Sequence, residues 1–409
     1  MCICNALSVY GTFFGEKMNL LKYSAVVLFT VLLTACGGGG ATSTGPASNT
    51  NTTSSNPSAC STTSKFAYVS NSGSNNISVL NFNSATGVLT TTTSSTFSPY
   101  TSSLNPTSVV VDPTCRFAYA PSYSSNSISA YTINSTTGAL SQISGSPFLI
   151  SSPSSIAIDP AGKYLYVANY SSNSISAFAI DASTGVLTQI TGSPVIVSSV
   201  PSTYPSFVAV DPTGRFLYVV IINYGISAYS INSTTGGLTL IAGSPFANGS
   251  GSASAGGITI NTSGNIAYVA DGNSATVNNV YAYRIDAATG VLTQIAGSPV
   301  AAGSYAYSVT IDPTGKYAYV PNALSNTVSA YAINSSSGAM TQISGSPFAT
   351  GLNPTSVTID PGGSYAYVTN ANSNSVSSYS IDMTTGAFTP LPSSPFTATQ
   401  LYAPSALTF

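Results

Sequence analysis

The chain has no histidine and no tryptophan, and only 4% of its residues are charged. Soluble domains usually carry about 25% charged residues. Without histidine, no side chain has an unperturbed pKa between about pH 5 and 8, which argues against a pH switch in that range. No His or Cys cluster is available to hold a metal. Eight basic residues stand against ten acidic ones. That balance excludes nucleic acid and acidic polymers as natural partners.

Repetition is abundant instead. Residues 354–388 read PTSVTIDPGGSYAYVTNANSNSVSSYSIDMTTGAF, and close copies begin at Pro106, Pro153, Pro205, Gly256, Tyr307 and Pro404. The tyrosines Tyr68, Tyr119, Tyr166, Tyr218, Tyr268, Tyr319 and Tyr367 mark a period of about 50 residues, in the range of propeller and solenoid repeats. Each copy divides into four short β-branched or aromatic runs separated by turn residues. In the copy at Pro354, residues 357–359, 365–369, 376–381 and 387–389 are expected as strands A to D. Four antiparallel strands per unit describe a propeller blade.

Alternation supports the blade. Phe117 and Tyr119 face one way while Ala118 and Ala120 face the other, so bulky side chains of one blade can seat against alanines of the next. The first unit, from residue 66, has strands B, C and D but no strand A, and residues 404–409 are a strand A with nothing after it. Joined, they give an all-β, seven-bladed β-propeller whose first blade is closed by the C-terminal strand. Phe409 aligns with Ile359, Ile311 and Val210, so the repeat accounts for it without a membrane barrel.

Ahead of the repeats, Met18 is the expected start, Lys22 supplies a positive charge, and residues 23–33 are apolar but too short to span a bilayer comfortably. Leu33-Thr34-Ala35-Cys36-Gly37 resembles the lipobox of bacterial lipoproteins. The resemblance implies removal of residues 1–35 as a signal peptide and lipidation of Cys36. Gly37 resembles the sorting residue of lipoproteins sent to an outer membrane. Residues 36–64 are Gly, Ser, Thr and Asn with hardly an apolar side chain, and are expected as a flexible tether. The domain organisation is then signal peptide 1–35, tether 36–64 and propeller 65–409.

Tyr367-Val368-Thr369-Asn370, with the recurring D-P-x-G-[KR]-[FY] turn, resembles the YVTN β-propeller repeats. The array from residue 65 to residue 409 is similar to the seven-bladed lactonase-like family, which includes 6-phosphogluconolactonase-type enzymes and bacterial surface proteins. These motifs are turn and packing signals and specify fold better than activity.

Nearly every charge belongs to a turn. Asp112/Arg116, Asp159/Lys163, Asp211/Arg215, Asp312/Lys316 and Asp360 flank the A–B turns, and Asp181, Asp286 and Asp382 open C–D turns. The resemblance implies that ligands bind at the opposite end, where the B–C and D–A loops lie. There the sequence offers one carboxylate, Asp271, and no lysine, arginine or histidine. Lactone hydrolysis needs a positioned base, a metal-bound water or an oxyanion donor, and a phosphorylated substrate adds a basic clamp.

With one aspartate, the sequence favours a non-enzymatic, lipid-anchored binding or structural module with no cofactor and no metal. Its partner would be a carbohydrate, a peptide or another surface protein, and its contact with the membrane the lipid anchor alone. The alternative is a lactonase-like hydrolase working through Asp271 and backbone amides. Asn71, Asn169, Asn322 and Asn370, with Asp271, recur where strand B enters the B–C loop, and are read as Asx-turn formers or as a ring of ligand-binding groups. G-S-P-F is read as a turn after strand D. Cys60 and Cys115 remain as an expected disulfide, since Cys115 replaces the glycine seen at Gly214 and Gly315.

Overall fold

A computed structural model describes residues 65–92, 105–198, 200, 203–247, 255–272, 278–398 and 401–409. The expected signal peptide, the lipidated Cys36, the tether and Cys60 lie outside the described residues. Seven antiparallel sheets follow one another, each ordered A-B-C-D from an inner to an outer strand. In blade 7 the strands are Pro354–Ile359, Tyr365–Asn370, Ser375–Ile381 and Phe388–Pro390. The expected loop at residues 370–374 contains one short 3-10 turn, Ala371–Ser373.

The ring closes through both chain ends. The C-terminal strand Pro404–Thr408 pairs antiparallel with Phe66–Asn71 and becomes the innermost strand of blade 1. Phe409 is buried between blades 1 and 7, its ring centroid 4.7 Å from Phe82 and 5.5 Å from Tyr367.

Large faces meet small ones at the seams. Ala118 and Ala120 of blade 2 pack in one cluster with Tyr68 and Val79 of blade 1. On the other face, Phe117 and Tyr119 pack with Leu165 and Val167 of blade 3. The strand B tyrosine then does more than fill space. The hydroxyl of Tyr119 donates to Gly185 O of the following blade at 2.8 Å, and Tyr68, Tyr166, Tyr218, Tyr268, Tyr319 and Tyr367 repeat the bond with Gly138, Gly236, Gly290, Gly338, Gly386 and Gly87. Every seam carries one such buried bond.

The G-S-P-F segment makes the expected turn after strand D, with Ser193 N of the blade 3 copy donating to Ile190 O at 3.0 Å, and beyond it a further short strand returns to strand C. In blade 3, Leu187–Gln189 pairs with one end of Ser174–Ile180 and Val195–Ile196 with the other. Between them the Ser193–Pro194 bond is cis, and Ser193 Oγ accepts a hydrogen bond from Ala177 N at 2.8 Å. The serine hydroxyl thus takes the place of a backbone carbonyl between the two short strands. Ser146, Ser244, Ser298, Ser346 and Ser394 do the same in their blades.

The A–B turns behave as read. Asp211 Oδ1 accepts from Arg215 N and Phe216 N, while its other oxygen accepts from Thr213. Asn261 takes the same place in blade 5, accepting from Asn265 N and Ile266 N. Burial pushes Asp159 and Asp360 above the usual carboxylate range despite their backbone donors. Arg116 and Arg215 reach the next blade's C–D turn, donating to Ala182 O and Ala287 O at 2.7 Å. The charges stabilise turns and seams. Cys115 has φ 56, in the left-handed region that its glycine counterparts occupy, and it is disulfide-bonded.

Candidate functional site

The end of the ring bearing the B–C and D–A loops is nearly free of charge. Asp271 closes strand B of blade 5, Ile266–Asp271, and is 1% exposed. Facing strand C carries Tyr281 and Tyr283 on the same side of the sheet, because Asp271 pairs with Asn279 and Val269 with Tyr281. Burial, and then in part the charge of Asp271, holds both phenols above their ordinary pKa. They therefore stay protonated. Tyr283 Oη donates to Ala247 O at 2.8 Å.

The start of blade 6 comes close to the backbone at the ends of the inner two strands of blade 5. A Cβ on Gly272 would lie 2.0 Å from Ala306 N, and one on Gly256 would lie 2.3 Å from Tyr307 O. Only glycine permits that approach. The Tyr305-Ala306-Tyr307 segment therefore passes close to the backbone beside Asp271. The B–C loop of blade 5, residues 273–277, lies outside the described residues.

The four asparagines take a different position from a surface ring. Asn71, Asn169, Asn322 and Asn370 are 0–2% exposed. Their amide nitrogens donate across to strand C: Asn169 Nδ2 to Ser174 Oγ and Ser176 Oγ, Asn370 Nδ2 to Ser375 Oγ and Ser377 Oγ. Asn71 and Asn322 repeat the pattern. They are cross-strand clamps, not Asx turns. In blade 5 the clamp is changed to Asp271, and the facing serine to Tyr281.

A second asparagine set, not singled out from the sequence, holds the loops of this end. Asn126, Asn326 and Asn374 have positive φ, and their side-chain oxygens accept from Ser152 N, Asn353 N and Ala403 N in the D–A loops. The signal was present as an S-N-[ST] recurrence beside the better-known Y-V-x-N.

The sequence reading also passed over a tyrosine cluster. Tyr123 and Tyr170 follow strand B in blades 2 and 3, and Tyr204 begins the inner strand of blade 4. Tyr170 and Tyr204 stack with centroids 4.7 Å apart and planes 8° apart, and Tyr123 meets Tyr170 edge-on at 6.0 Å. Burial, then Tyr123, Tyr204 and Tyr305, push the Tyr170 phenol up to about 12. Three consecutive blades therefore contribute rings to one aromatic group at the loop-bearing end. Among the described residues no group of three or more His, Cys, Asp or Glu could hold a metal ion.

This architecture is that of a seven-bladed lactonase-type propeller. The family model of the lactonase seven-bladed β-propeller matches residues 57–200 and 258–400, and the chain belongs to that family. Among solved structures it is similar to a candidate 6-phosphogluconolactonase from Bacteroides fragilis, with TM-score 0.70 and 23% identity over 85% of this chain and 99% of that one. A candidate 6-phosphogluconolactonase from Bacteroides uniformis gives TM-score 0.70 and 21% identity over 84% and 98%. The periplasmic gluconolactonase of Pseudomonas aeruginosa gives 0.69 and 18% over 84% and 98%. At these identities the likeness establishes the fold. No curated protein matches in sequence.

Proposed function

We propose that the protein is a lactonase-family hydrolase that opens an uncharged sugar lactone, with Asp271 as general base. Family membership supports this over the non-enzymatic module that the scarcity of charge favoured. The observation that carries the proposal is the position of Asp271, the one carboxylate among the described residues of the loop-bearing end, where four other blades carry the asparagine clamp and blades 2 and 4 carry Ser122 and Ile221. In the reaction, Asp271 takes a proton from water as its oxygen attacks the lactone carbonyl. The ring C–O bond breaks, and the freed ring oxygen receives the proton, giving the open hydroxy acid. Asp271 is 1% exposed, so approach to it requires a local rearrangement.

The neutral surroundings support a substrate without phosphate, since no lysine or arginine among the described residues of this end could clamp one. Acid release from glucono-1,5-lactone and its 6-phosphate, compared with the spontaneous rates, tests the reading. Turnover of the neutral lactone, lost in Asp271→Asn, is expected. Turnover of neither lactone would leave the second reading, a carbohydrate-binding surface module, which the tyrosine cluster favours. We propose also that the chain is exported and anchored through lipidated Cys36, probed by lipid labelling of the wild type and Cys36→Ala.

A further inference from the structure

We propose that Tyr123, Tyr170 and Tyr204 form a stacking platform that receives the pyranose ring of an uncharged sugar at the loop-bearing end. The inference rests on the lactone reading above and assigns it a binding surface separate from Asp271. Three observations support it. The rings come from three different blades yet lie together, with Tyr170 and Tyr204 parallel. All three side chains are half-buried, so they are anchored while part of their aromatic surface stays open. A loop built only to cover the channel has no need for three aromatics, whose exposed surface is unfavourable in water.

The chemistry of the surroundings selects the ligand. A sugar ring presents C–H groups on its faces and hydroxyls at its rim. The faces lie flat on an aromatic ring, and the rim needs neutral donors and acceptors. Around the platform these are Ser171 and Asn173. Tyr123 Oη and Ser171 Oγ are 3.3 Å apart, and Asn173 Nδ2 donates to Thr203 Oγ1, beside Tyr204, at 3.1 Å. Asn173 Oδ1 is buried, so it is Asn173 Nδ2, Thr203 Oγ1 and Ser171 Oγ that give this part of the surface its neutral polar groups. With no cation among the described residues of this end, a phosphorylated sugar gains nothing here that a neutral one lacks.

Calorimetric titration with glucono-1,5-lactam, a ring isostere that does not hydrolyse, tests the platform independently of catalysis. The wild type is expected to bind, Tyr204→Phe to stay within about twofold, and Tyr204→Ala to lose at least about tenfold, the range of stacked aromatic contacts. Tyr123→Ala, on an exposed loop, gives the same readout should Tyr204→Ala fail to fold. Equal affinity in the folded alanine variants, or no binding by the wild type, overturns the proposal. So does an equal loss in Tyr204→Phe, which would assign the contact to the hydroxyl. The lactam is read by binding alone, so loss of stacking in Tyr204→Ala and loss of hydrolysis in Asp271→Asn are separately visible.

Discussion

The phenol of Tyr367 donates a 2.6 Å hydrogen bond to the carbonyl of Gly87, 280 residues away in the chain, across the seam where blade 7 meets blade 1. It is the same bond that joins every other pair of neighbouring blades, made here between the two chain ends. Removing the hydroxyl leaves a buried carbonyl without its donor. Tyr367→Phe is expected to cost about 1–3 kcal/mol. A denaturant midpoint equal to that of the wild type would show that the closing bond is not needed.

Closure depends also on the last strand. Deleting residues 404–409 removes the inner partner of Phe66–Asn71 and the Phe409 contacts with Phe82 and Tyr367. A sharp fall in melting temperature is expected, with dimers or aggregates from the exposed edge. Unchanged melting of the truncated protein would contradict the shared blade.

The serine within the G-S-P-F turn can be tested by one atom. Ser346→Ala leaves Ala330 N–H without its 2.9 Å acceptor. A loss of about 1 kcal/mol is expected, together with faster hydrogen exchange at Ala330. Exchange as slow as in the wild type would mean that another group replaces the hydroxyl.

The seam tyrosines set the alkaline limit. Burial pushes Tyr268 up to about 12, and Tyr119, Tyr166, Tyr218, Tyr319 and Tyr367 further still. The unfolded chain ionises its phenols near pH 10. Above that pH the unfolded state binds fewer protons than the native state, so stability falls as pH rises. This contribution is complete below about pH 10 and is lost progressively through pH 12 and beyond. Stability is expected to be flat from about pH 6 to 9 in a chain without histidine. Tyrosinate absorbance of the buried set is expected to grow only with loss of circular dichroism. Growth in a fully folded protein would place those phenols in contact with solvent.

Cys115 carries two requirements at once, a disulfide and a left-handed backbone. Peptide mapping without reductant is expected to join it to Cys60. Under reducing conditions, Cys115→Gly is expected to be about 1 kcal/mol more stable than Cys115→Ala, because φ 56 strains any side chain with a Cβ. Equal stability of the two variants would remove the backbone argument.

The repeat, its four strands, the closure by residues 404–409 and the turn roles of Asp112, Asp211 and Asp286 were all legible from local pattern. Each depends on neighbours within one blade or on a count of blades, and such information is linear in the chain. The glycine expected at position 115 was legible for the same reason. What only the tertiary structure decided is what crosses blades. Asn169 could be seen as recurrent, but its commitment to Ser174 and Ser176 depends on strand register. The close approach of Ala306 to Gly272, beside Asp271, depends on blade 6 packing against blade 5. Tyr123, Tyr170 and Tyr204 lie in three separate repeats with no shared motif, and only the packing of blades 2, 3 and 4 brings them together. A sequence specifies each blade by short-range chemistry, while the site at the loop-bearing end is assembled from loops that meet only when neighbouring blades have packed.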